Sequence, residues 1–558
     1  MSATRLWNKD LLIAFLLFAV ALGLYSIDWK NGFIGGVSTV GATRVLSGDV
    51  PYLDFWTMYA PGQFYLLATL FRLFGTHFLV EVISASVICA AASSACYILV
   101  RTLTHQKLPG VLSASIFFAA TYNTGYFKNL GSYPPAILLL IIALTFVVAY
   151  YKEEQRLRYL MLAGLATGVA VLFKHDVAGY SAVATVAGLI VAHLSSYRET
   201  TLTKSLRALS VALAYYLTPL VLVTLPAFLY LWVVAGRDMW QDIVVFPLTD
   251  FRFVRPEHYP SLLPLNMFDP SFSRTMDKVF DYLVFALPFM LFLVGVLATA
   301  VAWKRRRVWV FALGITFSLD FLFHYSAAHV QINTHIISMS LYGALLGILA
   351  VDAIKRVNVS NWTRVGIGMV GCVWLVSISA KPVYSRWTSR NEPKTELKSL
   401  RGAGIKLSPR DAGNLDQLAE FVEANTTPGQ HIFVGLHRHD VIVQSDLMLY
   451  FILNRSSATR YEELHPAIAD NSHVQREIIT DLQRKHVSLI ILAHMFPDSR
   501  LEVIKKDFLR NVPYIGATDL DQFIHQNYLK VRQFGRYEVW QANENVSSPI
   551  VSRVNSPS

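Results

Sequence analysis

The residues able to do chemistry in this sequence collect at the ends of long apolar runs. Asp28 stands in YSIDWKNGF and Asp54 in PYLDFW; Lys128 follows one apolar run, and Lys174, His175 and Asp176 follow another in LFKHD. Arg252 and Arg255 lie in TDFRFVRPEHYP, and Asp320, His324, His329 and His335 come close together further on. Carboxylates can take a proton from a hydroxyl, and an ammonium or guanidinium can hold a phosphate. A charge set at mid-membrane costs about 2.5–3.5 kcal/mol on insertion scales, so clusters at span ends are candidates for function. The histidines straddle two spans and a loop and lack a compact ligand motif such as HExxH, so no metal is assigned to them. Instead, His324 and His329 are expected to line a pocket as hydrogen-bond donors, with Asp320, one helical turn earlier, as the partner of His324.

Composition dictates what must position these groups. The chain has 558 residues, 54% hydrophobic and 16% charged, which points to many membrane spans rather than a soluble multidomain protein. A net charge of +11 would suggest nucleic acid in a soluble chain, but here the lysines and arginines fall in short loops between apolar runs, where they report orientation. Nucleic acid is therefore not an expected partner; the lipid bilayer is. Cys89, Cys96 and Cys372 all lie in apolar runs, so neither a disulfide framework nor a CxxC metal site is expected. Arg5 and Lys9 precede LLIAFLLFAVALGLYSI with no small-residue cleavage site after it, which predicts an uncleaved first span starting in the cytoplasm.

Eleven apolar runs approach the length of a span, near 11–27, 78–100, 109–124, 134–151, 160–173, 177–194, 209–235, 279–302, 308–324, 334–352 and 364–380. With this count the positive loops, including KRRR at 304–307, fall on the cytoplasmic side. If Pro61–Phe74 also crossed, every later loop would change sides. Its fourteen residues reach only about 21 Å against a hydrocarbon core of about 30 Å. The first outer loop, 28–77, is therefore predicted to hold interfacial helices, one starting at Pro61 and ending before Gly75, with Tyr52, Phe55, Trp56, Tyr59 and Tyr65 as headgroup-level anchors.

Residues 1–380 thus form a polytopic α-helical membrane domain, followed by a linker over 381–412, an α/β domain over 413–542 and a disordered tail over 543–558. After an odd number of spans the α/β domain lies outside. HIFVGL, VSLIILA and RYEVWQA read as strands; NLDQLAEFVEA and HVQREIITDLQRK read as helices. Its His437, His439 and Asp440 read as a polar loop at a strand end. GIGMVG at 366–371 fits a dinucleotide fingerprint but sits within an apolar run, so it reads as close helix packing, and Asp519-Leu520-Asp521 lies in a segment of helical pattern and is discounted as a sugar-nucleotide motif.

The sequence resembles the GT-C glycosyltransferases, polytopic enzymes that take sugar from a polyprenyl-phosphate carrier on the outer membrane face. The resemblance lies in the acid after the first span, then ATRVLSGDVPYLDFWTMYAPGQFYLLATLFRLFG, then LFKHD, and finally LYFILNRSSATRYEELHP; the first-loop pattern is similar to bacterial relatives of the aminoarabinose and protein O-mannosyl transferases. It implies a GT-C-like fold of about 11 transmembrane helices with a C-terminal outer-side α/β domain, in a cytoplasmic (inner) membrane. It also implies an inverting transferase that moves a sugar to a glycan, lipid or protein acceptor. The family's catalytic carboxylate matches Asp28, acting as base toward the acceptor hydroxyl or positioning the acceptor or a divalent metal; Asp54 matches the second acid of the same pattern. Lys174 corresponds to a lysine that many relatives carry after this span, whereas His175 and Asp176 depart from the small residues usual there. Arg44, Tyr59, Lys128, Arg252 and Arg255 complete the expected substrate-binding set with Lys174, His175, Asp176, His324 and His329. The chemistry calls for no soluble cofactor. Two alternatives remain: a transporter or flippase for lipid-linked saccharides, and a non-catalytic assembly subunit that keeps the fold.

Overall fold

A computed structural model describes residues 3–32, 35–153, 155–195, 201–254, 271–304, 307–328, 332–354 and 392–543 apart from 400 and 403, with isolated positions between 369 and 384. Ten of the eleven predicted spans coincide with helices: α1 (Ala3–Ser26), α4 (Phe78–Thr104), α5 (Lys107–Thr124), α6 (Tyr133–Lys152), α7 (Leu157–Phe173), α8 (His175–Ser195), α9 (Leu202–Trp240), α12 (Phe272–Lys304), α13 (Val308–Ala327) and α14 (Ile332–Ile354). The eleventh run, 364–380, falls largely outside the described residues, as do most of GIGMVG and all of 544–558. Among the described residues, seven helices are long and apolar enough to cross a membrane, and α7 and part of α14 are shorter apolar helices. This is a multi-pass membrane protein.

Helix ends follow local chemistry. His77 caps α4 by accepting a hydrogen bond from the Leu79 N–H, and α9 breaks at Gly236, whose φ of 54° and ψ of −125° lie off the helix. Beyond that break run a π-helical turn (Gln241–Val245), α10 (Phe246–Thr249) and α11 (Phe251–Val254).

Between α1 and α4 the first loop carries α2 (Val37–Leu46) and α3 (Gly62–Phe74). α3 starts after Pro61 and stops at Gly75, as the sequence predicts, and its 13 residues are too few to span. α2 and α3 touch at Gly41, where an added Cβ would lie 2.4 Å from Phe64. The anchor expectation is corrected for three rings: Tyr52, Phe55 and Trp56 are buried in protein. Trp56 meets Phe246 edge-on at 5.4 Å and His465 of the C-terminal domain at 5.4 Å. Aromatic residues next to a membrane serve equally as domain-packing surface, and composition does not separate the two uses. Tyr65, 40% exposed, keeps an open ring.

The C-terminal domain begins before residue 413. β1 (Thr395–Glu396) pairs antiparallel with β2 (Lys406–Leu407), and the Lys30 carbonyl accepts from the Lys406 N–H at 2.6 Å, joining the linker to the residues after α1. α15 (Pro409–Asn425) follows, capped by the Ser408 side chain. The main sheet has the order β4-β3-β5-β7-β6, formed by β3 (His431–Leu436), β4 (Ser456–Ser457), β5 (Leu489–Ala493), β6 (Tyr528–Phe534) and β7 (Tyr537–Ala542). β3 runs parallel to β4 and β5; β7 is antiparallel to β5 and β6. The predicted strands are present, and β6 adds an edge whose mostly polar, exposed sequence YLKVRQF lacks the apolar signal of a core strand. α16 (Met448–Ile452), α17 (Ser472–Arg484), α18 (Asp498–Asn511) and α19 (Asp519–Asn527) complete the domain. Asp519 and Asp521 have structural partners: Asp519 accepts from Ser472 and Asp521 from the His439 ring.

Burial pushes the Asp470 carboxyl up to about 7, only partly opposed by backbone N–H groups of Asp470 and Ala467. The folded domain therefore holds this proton more tightly than the unfolded chain. Its contribution to stability is fully present below the ordinary carboxyl value and is lost as pH rises to about 7. At about 1.4 kcal/mol per tenfold change in proton affinity, the full swing is a few kcal/mol. Asp470→Asn is expected to raise the unfolding temperature at pH 8 relative to the parent protein and to flatten the dependence between pH 5 and 8, measured by thermal unfolding in detergent.

Candidate active site at the domain-bearing end of the bundle

Residues 49–60 form a strap between the helical bundle and the C-terminal domain. Tyr52, fully buried, has a φ of 70°, a conformation costing a side-chain-bearing residue about 1–3 kcal/mol. Its surroundings hold it there. The Tyr52 N–H donates to the Phe55 carbonyl at 2.8 Å, its hydroxyl donates to the Tyr59 carbonyl at 2.7 Å, and the Val50 N–H donates to Asp54 Oδ2 at 2.7 Å. The C-terminal domain closes over it: the Trp56 N–H donates to the Arg460 carbonyl at 2.8 Å, and Arg460 Nη2 donates to the Tyr52 carbonyl at 2.8 Å.

Arg44 and Asp54 are parts of this clamp. Arg44 Nε pairs with Asp49 at 2.7 Å, Nη1 with Glu462 and the Thr459 carbonyl, and Nη2 with the Asp54 carbonyl at 2.8 Å. With donors on all three nitrogens engaged, Arg44 joins loop to domain rather than waiting for a substrate. Asp54 spends one carboxylate oxygen inside its own turn.

On the bundle side of the strap lies a cavity of about 360 Å³. Met58, Tyr59 and Ala60 form one wall, and Lys174, His175, Asp176 and Tyr180 come from the junction of α7 and α8. The stretch after the α9 break contributes Ile243, Val244, Leu248 and Phe251, while α14 contributes His335. The arrangement is amphiphilic. Lys174 Nζ lies 3.2 Å from Asp176 Oδ2, and this is the only hydrogen bond of its ammonium among the described residues. His175 Nδ1 and Asp176 Oδ1 have no partner there. Buried polar atoms without partners cost about 1–3 kcal/mol each, which a polar ligand group or water would recover. Such a lining suits a molecule with an apolar tail and a charged head.

Gly62 sets the depth of this wall. A Cβ there would stand 2.6 Å from the Leu172 carbonyl oxygen and 3.1 Å from the Phe173 ring, just before Lys174. The obstructing atom is backbone, so α3 would have to move. Gly62→Ala is expected to lower stability by about 1–3 kcal/mol, read by thermal unfolding in detergent.

Asp28 belongs to a separate group at the end of α1. It is 7% exposed; Tyr122 donates its hydroxyl to Oδ2 at 2.8 Å and Asn31 Nδ2 donates to Oδ1 at 3.0 Å. Lys128 Nζ donates to the Asn31 carbonyl at 2.5 Å, placing an ammonium in the same group. Tyr122 is itself held in a ring cluster, 6.0 Å from Tyr25 and 5.3 Å from Phe127. Tyr122 and Asn31 hold Asp28 whereas the Val50 N–H holds Asp54, and Asp28 does not line the Lys174 cavity. The two acids thus have different hydrogen-bond partners. Among the described residues no group of three or more His, Cys, Asp and Glu is placed to hold a metal.

Of the remaining candidates, Arg252 lies exposed on α11 with its guanidinium over Phe253 at 4.6 Å, away from the cavity lining. Arg255 and His329 lie outside the described residues. His324 is fully buried rather than pocket-lining, and its ring partner is His335 at 2.9 Å, in place of the expected Asp320. A helix-face argument finds neighbours within one helix and cannot see a partner on the next one. His335 itself reaches the cavity.

Residues 58–223 match the family profile described as dolichyl-phosphate-mannose-protein mannosyltransferase, a stretch that begins in the strap and includes Lys128 and Lys174. No curated protein sequence matches the chain. Among solved structures, ArnT from Cupriavidus metallidurans bound to undecaprenyl phosphate aligns over 98% of this chain and 100% of its own, at 14% identity and a TM-score of 0.51. The chain has a GT-C-like fold. AglB from Archaeoglobus fulgidus, an archaeal oligosaccharyltransferase in complex with an inhibitory peptide and a dolichol-phosphate, shares the GT-C architecture over 96% of this chain and 75% of its own, at 12% identity and a TM-score of 0.50.

Within this GT-C frame, the residues missed by sequence reasoning are those that fasten the strap. Arg460 and Glu462 fall in LYFILNRSSATRYEELHP, a stretch with no catalytic pattern; its density of charged and aromatic residues was the available signal, and the structure turns it into loop-holding contacts.

Proposed function

We propose that this protein transfers a sugar from a polyprenyl-phosphate-linked donor to a glycan, lipid or protein acceptor at the outer face of the cytoplasmic membrane, its N-terminus inside and its C-terminal domain outside. The observation that carries the reading is the amphiphilic cavity behind the strap, where the Lys174 ammonium sits among unpartnered polar atoms against apolar walls. The fold likeness to proteins solved with undecaprenyl phosphate and with a dolichol-phosphate supports it.

In this reading the lipid chain lies along Ile243, Val244, Leu248 and Phe251, and the phosphate meets Lys174. The ammonium exchanges part of its Asp176 contact for a phosphate oxygen. The sugar reaches from this phosphate to the end of α1, where the acceptor hydroxyl gives its proton to Asp28 as its oxygen bonds to the sugar's anomeric carbon. The bond from that carbon to the phosphate oxygen breaks, its electron pair leaves on the carrier phosphate, and attack opposite the leaving group inverts the anomeric centre. Tyr122 and Asn31 orient the carboxylate. Lys128, one contact away through the Asn31 carbonyl, adds a positive charge to the same group.

The test uses the carrier alone, since it is independent of the sugar. Purified protein in detergent is expected to bind undecaprenyl phosphate saturably and to prefer it to phosphatidic acid. Equal affinity for both lipids would leave the cavity a general lipid contact and remove the reading.

A further inference from the structure

The strap has a second side. There, between α2 and the C-terminal domain, lies a cleft of about 1150 Å³, above the roughly 300–1,000 Å³ usual for small-molecule sites. Leu53 and Asp54 face it while Met58, Tyr59 and Ala60 face the Lys174 cavity, so one short segment borders both spaces.

Seven arginines and lysines line the cleft against four carboxylates. The carboxylates are all engaged: Asp49 by Arg44 at 2.7 Å, Asp54 by the Val50 N–H, Asp481 by Arg484 at 2.7 Å, and Glu477 by the Tyr461 hydroxyl at 2.7 Å and His473 at 3.1 Å. Three cations have no carboxylate partner among the described residues. Arg455 is fixed structurally, donating to the Thr426 side chain and to backbone carbonyls. Arg401 lies with its guanidinium 5.3 Å from the Phe451 ring centre, and Lys485 ends α17 without an ion pair. Burial holds both Arg401 and Lys485 below their usual values; the Arg44 and Arg484 cations add to this at Lys485, and Asp481 opposes it. An anionic group in the cleft beside either cation would relieve that cost. The rest of the lining, including Ser47, Asn454, Ser456 and Thr480, offers hydroxyl and amide groups suited to a hydroxyl-rich ligand rather than acyl chains.

We propose that this cleft holds the acidic part of the acceptor, a saccharide carrying carboxylate or phosphate groups, with Arg401 and Lys485 as its anion-binding side chains. The inference rests on the sugar-transfer reading for the word acceptor; binding itself is tested independently of it. The full-length protein is titrated with a size-defined oligogalacturonate, a phosphorylated mannan oligosaccharide and a neutral malto-oligosaccharide of equal length. Binding of at least one acidic saccharide, absent for the neutral one and weakened by salt, is expected, with affinity about tenfold lower or more in the Arg401→Gln/Lys485→Gln double variant. The Arg401→Lys/Lys485→Arg variant is expected to retain binding. Thermal unfolding at the parental temperature by both variants shows that they are folded. Acidic saccharides binding no better than neutral, binding indifferent to the Gln pair, or displacement by glycerol phosphate at equal concentration would each overturn the proposal, the last by giving the cleft to a phospholipid headgroup. Loss of undecaprenyl phosphate binding in the parent protein, with saccharide binding intact, would strike the transfer reading alone.

Discussion

Asp28→Asn is expected to lower sugar transfer by about 100- to 10,000-fold, the range that a positioned general base contributes. The substitution keeps the side chain's shape but removes its capacity to take a proton. It also leaves one acceptor oxygen where two donors, Tyr122 and Asn31, now find two, so a stability loss of about 1 kcal/mol should accompany it. Mass spectrometry of surface glycans and glycoproteins from a deletion strain complemented with parent or variant checks this whatever the sugar and acceptor are. A variant present at parental abundance that restores the parental glycan profile would remove Asp28 as the base. Undecaprenyl phosphate binding should stay unchanged, because Asp28 stands outside the Lys174 cavity. This separates loss of chemistry from loss of donor.

Lys174→Ala is expected to behave in the opposite way, weakening undecaprenyl phosphate about 10- to 100-fold, as befits loss of a charge-assisted hydrogen bond. Removing the ammonium also strips Asp176 of its cation at 3.2 Å, leaving a carboxylate to repel the phosphate. The double variant Lys174→Ala/Asp176→Asn should therefore recover part of the affinity that the single variant loses. Titration of purified proteins measures both. A single variant binding as tightly as the parent would show that the ammonium serves only α7 and α8, and the phosphate role would fall.

How much of this was legible in the sequence depended on the range of the interaction that reveals it. Apolar length located ten spans among the described residues, and Pro61 with Gly75 bounded α3, because these signals are local. The strands of the C-terminal core were likewise evident, while the polar edge β6 was not. The resemblance drew attention to Lys174, and the structure places it on a cavity wall with His175 and Asp176. What could not be read was which partner each polar group would choose. Arg44 and Asp54 suit a binding site by residue type, yet Glu462, Thr459 and Val50, which they meet in the fold, could not be read from the sequence. His324 and His335 meet only because two helices pack side by side.

The clamp on the strap also sets an order of assembly. Arg44 is made early, and its partners Thr459 and Glu462 follow 415 and 418 residues later. While the chain is being synthesised, the helices around Lys174 can already be in the bilayer, but the wall that closes their cavity waits for β4 and the turn after it. Contacts so distant in sequence form late and slowly. The newborn protein thus passes through a stage with its membrane domain in place and its site still open, and only the arrival of the C-terminal domain completes it.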